Sequence, residues 1–172
     1  NALKDKVKEL LLNSSNVATF LNNYKTITFE GETVPLFFVS DTELQGDRNF
    51  NKNIFSAVEE MPHNVVCDGL TLQRLRPDIS FFLNGIFIGY LELKYVSKGQ
   101  TAAKNGRGKI IGDYLESVKD MANRAKTDAD TVASERKKTL HMFERGIHLV
   151  ATDINETYVL RNIAGYYDEA FK

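Results

Sequence analysis

Arg76-Pro77-Asp78-Ile79-Ser80-Phe81-Phe82-Leu83-Asn84-Gly85-Ile86-Phe87-Ile88-Gly89-Tyr90-Leu91-Glu92-Leu93-Lys94 carries two strand-like apolar runs joined by Asn84-Gly85. Asn-Gly between two such runs is the strongest short hairpin signal a sequence offers, because both residues tolerate the left-handed backbone that a tight turn requires. The stretch therefore predicts two adjacent antiparallel strands, with Asp78 at the head of the first and Glu92 and Lys94 near the end of the second. Successive side chains in a strand point to opposite faces. Glu92 and Lys94 thus share a face with Tyr90, while Leu91, Leu93 and Tyr95 share the other, which by its apolar character is expected to face the core.

Parity imposes a condition on this hairpin. With a strict two-residue Asn84-Gly85 loop, Asp78 falls opposite Leu91 and points away from Glu92, since directly opposed residues point the same way. A three-residue loop, or a bulge with glycine in the left-handed conformation, returns Asp78 to the side of Glu92. The sequence predicts such an irregularity.

Two carboxylates on one face offer hard oxygen ligands to Mg²⁺, or to Mn²⁺ in its place. Such a cation polarises a phosphate oxygen and lowers the pKa of a bound water. Lys94 beside them suits stabilisation of the negative charge that grows in a phosphodiester transition state. Taken singly, each half is weak. A lone Glu-x-Lys on a strand is most often an exposed pair worth well under about 1 kcal/mol, and Asp after Pro commonly starts a turn or strand. The combination, on adjacent strands of one hairpin, points to a metal-dependent site.

The residues Arg76-Pro77-Asp78-Ile79-Ser80-Phe81-Phe82-Leu83-Asn84-Gly85 and Gly89-Tyr90-Leu91-Glu92-Leu93-Lys94 resemble the PD-(D/E)xK nucleases. Within that superfamily they are most similar to the N-terminal nuclease domain of type I restriction enzyme R subunits. The resemblance implies an α/β fold with a restriction-endonuclease-like core, a central mixed β-sheet flanked by helices. It also implies that Asp78 and Glu92 bind metal, that Lys94 is the catalytic lysine, and that the reaction is endonucleolytic hydrolysis of DNA. The implied partners are DNA, a helicase or translocase region, and other restriction-modification subunits. The chain would then be the nuclease piece of a larger motor protein, and a start at Asn1 without methionine is compatible with that. Ile147 to Asp153 and Thr157 to Leu160 look like the later strand pair of the same domain. One departure stands out: Tyr114 is preceded four positions earlier by Ile110, where type I domains usually carry glutamine, and Lys109 sits one place off. Alternatives are an RNA endonuclease of the same superfamily, of the viral cap-snatching kind, and a nucleic-acid-binding or assembly module without turnover. In the cap-snatching enzymes an upstream histidine ligates metal, and His63 is the counterpart here.

Composition frames these expectations. A chain of 172 residues, 42% hydrophobic and 26% charged, is long enough to bury one sizeable core and too short for two ordinary domains. The sequence predicts one domain, with residues 1–50 as an N-terminal helix and hairpin extension and 51–172 as the nuclease core. The single cysteine, Cys67, excludes an internal disulfide framework and reads as a packing residue. With no apolar run of membrane-spanning length and no signal-peptide pattern, cytoplasmic residence is expected, and no membrane partner. His63, His141 and His148 have no metal-binding spacing and there is no Cys-x-x-Cys, which argues against zinc.

A formal charge of −1 gives little general attraction to nucleic acid, so distribution matters more. From Val96 to Lys109 the chain has Lys98, Lys104, Arg107 and Lys109 with no acid, and Gly99, Gly106 and Gly108 suggest a mobile loop able to reach flanking phosphates. These four, with Tyr114 on the following helix, are the expected nucleic-acid contacts. A solvated surface loop is the plainer reading.

Elsewhere, Leu3, Val7, Leu10 and Leu11 recur at helical spacing and predict an opening helix ending near Asn13-Ser14-Ser15. Ile27 to Phe29 and Val34 to Val39 flank Gly31 as a hairpin, in which Pro35 marks an edge strand or a strand start. Asp41 to Asn53 reads as a polar connection. Asn53 to Met61 fits either a helix, with Glu59 nearer the apolar edge and Glu60 outward, or a strand. The superfamily often places a further glutamate before the core sheet, which makes Glu59 a candidate third metal ligand. Tyr114, Leu115, Val118, Met121, Ala122 and Ala125 trace an amphipathic helix that should cover the sheet, and Lys126 to Lys138 continues it as helix or exposed loop.

Overall fold

The computed structural model describes residues 2–38, 50–67, 69–124, 141–161 and 163. The expected tail of the long helix, Ala125 to Lys138, and most of the polar connection after Val39 lie outside them. The chain opens with helix α1 (Ala2–Asn13), as its apolar spacing predicts. A second helix not anticipated from the sequence follows, α2 (Val17–Asn23), begun by Asn16, whose side chain accepts from the Thr19 N–H. This is the usual way to satisfy an orphan donor at a helix start. Strands β1 (Thr26–Phe29) and β2 (Glu32–Pro35) form the expected hairpin around the Glu30-Gly31 turn. The second strand begins earlier than read and ends at Pro35, opposite Thr26. There a missing N–H costs no ladder bond.

Asn53 to Met61 resolves as strand rather than helix: β3 (Phe55–Glu59). An unanticipated hairpin follows, β4 (His63–Cys67) and β5 (Leu70–Leu75). The decisive hairpin is β6 (Ile79–Leu83) and β7 (Ile86–Leu93), followed by a 3₁₀ turn at Val96–Lys98. A π-helical segment, Ala102–Arg107, then runs into α3 (Gly108–Arg124). A short helix α4 (His141–Arg145) leads to β8 (His148–Thr152) and β9 (Thr157–Leu160). The segment expected to be a mobile basic loop is thus largely helical. Gly106 is buried, and a Cβ there would lie 2.7 Å from the Cβ of Ala151 and 3.4 Å from Cγ of Lys94.

The fold is mixed α/β around a five-stranded sheet of order β3-β6-β7-β8-β9. Only β7 and β8 run parallel among its neighbours. One face carries Tyr90, Leu149, Ala151 and Leu160 and packs under Ile110, Tyr114, Val118 and Met121 of α3, with Val65, Cys67 and Leu75 of the β4–β5 hairpin. The other face meets Val17, Phe20 and Leu21 of α2 and the apolar stripe of α1 through Leu83, Ile86, Ile88 and Ile147. Each fully buried side chain of this size contributes about 1.5–3 kcal/mol. The expectation that the Leu91, Leu93 and Tyr95 face is the core side is therefore corrected. Tyr90 and Glu92 are the buried pair, Leu91 and Leu93 are half-buried, and Tyr95 is exposed. Covering α3 lies on the Tyr90 side, so a charged residue is drawn inward with it. Among the described residues no helix is long and apolar enough to cross a membrane.

Candidate active site

The turn of the β6–β7 hairpin has two residues, Asn84 (φ 50°) and Gly85 (φ 79°), closing Leu83 against Ile86. Asn84 also holds the turn in place. Its Oδ1 accepts from Ile54 N–H at 2.7 Å, and its amide donates to Leu36 O at 2.8 Å and Asn53 Oδ1 at 2.9 Å. Left alone, this turn would put Asp78 on the wrong side. The register changes, however, between Phe82, paired with Phe87, and Phe81, paired with Gly89. Ile88 is the extra residue, and its carbonyl accepts from Ile147 N–H at 2.7 Å where the chain enters β8. The expected irregularity is present, in the strand at Ile88 rather than in the turn.

Beyond the bulge Ile79 pairs with Leu91, and continuing that register sets Asp78 opposite Glu92, on the same side of the sheet. Asp78 is half-buried, and its Oδ2 accepts from the Leu93 N–H at 2.6 Å. Glu92 is 4% exposed. Its Oε1 receives two ammonium groups, Lys94 Nζ at 2.7 Å and Lys109 Nζ at 2.6 Å. Lys94 is anchored through its own N–H to Thr152 O at 2.8 Å, at the end of β8. Such double pairing offsets the high cost of burying a carboxylate.

Glu59 is not brought to this cluster. It pairs with Ile79, which pairs with Leu91, so it lies exposed on the face away from Glu92. The next residue, Glu60, donates its N–H to Asp78 O at 3.0 Å, but its side chain turns to Arg76 at 3.6 Å in solvent. Tyr114 is also withdrawn from the expected nucleic-acid contacts. It is wholly buried against Phe143, and its hydroxyl donates to Glu144 at 2.8 Å. Of the basic residues, Lys109 reaches the site itself. Lys98 and Lys104 are exposed beyond the end of β7, with Lys98 Nζ 5.4 Å from the Tyr95 ring centre, and Arg107 is half-buried on the π-helical segment. His63 hydrogen-bonds the buried Ser80 hydroxyl at 2.9 Å and packs edge-on against Phe87, within the β4–β5 cover.

Asp113 escaped the sequence reading. It sits on α3 one turn after Lys109 and helps line a crevice with Glu92, Tyr90, Arg76, Pro77 and Lys109. Gln73 Nε2 donates to its Oδ1 at 3.3 Å, and Gln73 is itself held by the Ser117 hydroxyl. Burial raises the Asp113 carboxyl above the usual aspartate range. Glu92 and Glu116 push the same way, while Lys109 and Lys94 pull against them. The signal was the spacing of Lys109, Asp113 and Ser117, a polar stripe beside the apolar one. Burial also raises the Tyr90 hydroxyl well above its ordinary value, with Asp113 and Glu92 adding to the effect. Tyr90 therefore stays protonated beside the two acids.

The described residues contain no group of three or more His, Cys, Asp or Glu side chains placed to hold a metal ion. Asp78 and Glu92 still supply the donor set that Mg²⁺ uses, since this ion takes one or two carboxylates and completes its shell with water and substrate phosphate. The hard oxygens and their common side of the sheet fit the group.

Residues 3–161 match the family model described as the type I restriction enzyme R protein N terminus. The chain belongs to this family. No curated protein and no solved structure matches it. In this R protein N-terminal domain, the region matched spans both sheet faces and every site residue described above.

Proposed function

We propose that this R protein N-terminal domain is a divalent-metal-dependent endonuclease that hydrolyses DNA phosphodiester bonds in the cytoplasm, as the cleavage module of a type I restriction enzyme. DNA, a translocase region and the other restriction-modification subunits are its partners in that reading. The observation that supports it best is the bulge at Ile88, which puts Asp78 and Glu92 on one side of the sheet with Lys94 bonded to Glu92. Asp78 and Glu92 would hold Mg²⁺, or Mn²⁺ in its place. When bound, the cation supplies positive charge to the scissile phosphate and acidifies the attacking water.

The chain's own groups do the rest. Leu93 N–H fixes one oxygen of Asp78 and leaves the other for ligation. Lys94, 11% exposed and tied at its backbone to β8, offers an ammonium that orients the attacking water and stabilises charge growing on the phosphate. Lys98 and Lys104 engage phosphates beside the scissile one.

Melting curves with rising Mn²⁺ or Mg²⁺ test the metal site. Native protein gains about 2.7 kcal/mol at a hundred times Kd, and Asp78→Ala loses that gain. A native domain with no metal-dependent shift would instead be a binding or assembly module. Cleavage of supercoiled DNA against single-stranded RNA, at low salt to offset the formal charge of −1, then separates the substrates. Lys94→Ala is the control, expected to cut at least about a hundredfold more slowly. Cleavage of RNA alone would reassign the domain to RNA.

A further inference from the structure

Glu92 has two ammonium partners, and they are held very differently. Lys94 belongs to the same chain segment, is almost wholly covered, and its backbone is bonded to β8. Lys109 reaches the same oxygen from α3 with its side chain 44% exposed, on a flexible stem that readily changes direction. One turn along the same helix face lies Asp113, half-buried and steadied by Gln73. Lys109 is the largest charge favouring the ionised form of Asp113, so a second anion stands within its influence.

We infer that Lys109 is a mobile counter-ion: it occupies Glu92 in the metal-free domain, competes with a divalent cation for that carboxylate, and transfers to Asp113 when the cation binds. This rests on the metal-dependent reading of the same site. The physical basis is charge balance. A carboxylate this deeply covered needs positive charge beside it whether or not metal is present. With both lysines on Oε1 it already has that charge, so a cation arriving at Oε2 meets two ammonium groups across one carboxylate, and the repulsion is relieved when one of them leaves. Lys109 is the partner free to leave, and Asp113 takes it without exposing either charge to an apolar wall. Metal loading is thereby held weak until the exchange is made.

Calorimetric titration of Mn²⁺ into the native chain, Lys109→Met, Lys109→Arg, Asp113→Asn and the Lys109→Met/Asp113→Asn double variant tests this. Melting in EDTA establishes that each is folded. Lys109→Met binds Mn²⁺ about tenfold more tightly, because a charge-assisted competitor is gone, and Lys109→Arg stays close to native. Asp113→Asn weakens binding in the native background, and by clearly less when Lys109 is already Met, the non-additivity expected of groups acting together. Equal or weaker binding by folded Lys109→Met overturns the competition, and strictly additive effects remove Asp113 from the exchange. If no variant and no native protein binds Mn²⁺, the nuclease reading falls and this inference falls with it. Native binding with an unaltered Lys109→Met sinks the inference alone.

Discussion

The position of Lys94 is set by what lies behind it. Gly106 of the π-helical segment presses its bare Cα towards Ala151 and the stem of Lys94, in a gap that admits no methyl group without movement. Ala151 is completely buried in the sheet, so the neighbour able to yield is the lysine stem. Gly106→Ala is expected to cost about 1–3 kcal/mol, as overpacking of a close contact does, and to shift Lys94 away from Glu92. Thermal melting and DNA cleavage should therefore both fall. Adding Ala151→Gly, which removes the opposing methyl, should recover part of both. A Gly106→Ala protein with native melting and native cleavage would falsify this account of the contact. At this scale strand parity ties Glu92 and Lys94 to one face, and the common side of Asp78 and Glu92 follows from the irregularity that parity demands. The sequence was silent on Asp113, divided on Tyr114 and misleading on Glu59. A helix wheel for residues 53–61 put Glu59 beside the core, whereas the strand that forms there turns it to the far face. Its place in the chain groups Tyr114 with the basic residues, its place on the apolar stripe of the long helix sets it in the core, and the packing of α3 decides for the core.

The hairpins and caps explain which elements could be foreseen. The Asn84-Gly85 turn was legible because its chemistry is local. What Asn84 does beyond the turn, bonding to Ile54, Leu36 and Asn53, depends on segments distant in sequence. Asn84→Gly keeps the left-handed backbone and removes those bonds. It should lower stability by about 1–3 kcal/mol without changing the register, measured by urea unfolding and by the amide exchange of β6 and β7. Helix α2 is short, and β4 follows Pro62 and breaks its alternation at Val65-Val66, where the register shifts, so neither carries a strong periodic signal. The π-helical segment was read as loop because of its glycines. Its start is secured from outside, by Asp153 accepting from Ala102 N–H at 2.7 Å and Glu156 accepting from Ala103 N–H at 3.0 Å. These contacts bear on pH. Backbone donation from Ala102, then from Asn155 and Glu156, lowers the Asp153 carboxyl below its usual value, outweighing a small opposing effect of desolvation. A depressed folded-state value means that the stabilisation is complete above the unfolded pKa, about 3.9, and drains away as pH falls through the lower folded value. Asp153→Ala should thus melt below native protein at pH 7, with the gap narrowing in more acidic buffer. A gap constant from pH 7 down to about pH 2 would contradict the assignment.

The two layers on either side of the sheet are stitched together by Arg145. Buried at 5% exposure, it donates from α4 to the carbonyls of Leu11 and Ser14 at the end of α1, where a helix leaves acceptors without partners. Burial lowers the affinity of its guanidinium for a proton, partly offset by Glu144. Arg145→Met should cost about 1–3 kcal/mol for the Ser14 carbonyl left unsatisfied, since Leu11 O keeps the Ser14 N–H. Hydrogen exchange should show the loss concentrated in α1 and α2, with α3 and its sheet face protected to nearly native levels. Uniform loss across both layers would mean that the layers unfold as one. The central hairpin could be read in advance from periodicity within a single segment, and the α/β class and the late strand pair from the resemblance that the hairpin residues carry. Strand order, the parallel β7–β8 contact and the identity of the covered face could not, because they are decided by which distant segments meet.

The extra residue at Ile88 lets β7 reach Glu92 one residue later than its partner strand reaches Asp78, without loss of their common side. Removing Ile88 alone would let the two strands zip evenly from turn to tip with Asp78 still opposite Glu92, whereas one residue added between Gly89 and Glu92 would swing Glu92 to the reverse side. The deletant should keep its response to Mn²⁺ while losing the bond from Ile147 N–H to the Ile88 carbonyl, and the insertant is expected to fold and yet lose all response to Mn²⁺. Length variation beyond the bulge should accordingly be inherited in twos, or be accompanied by a new kink elsewhere along the same strand.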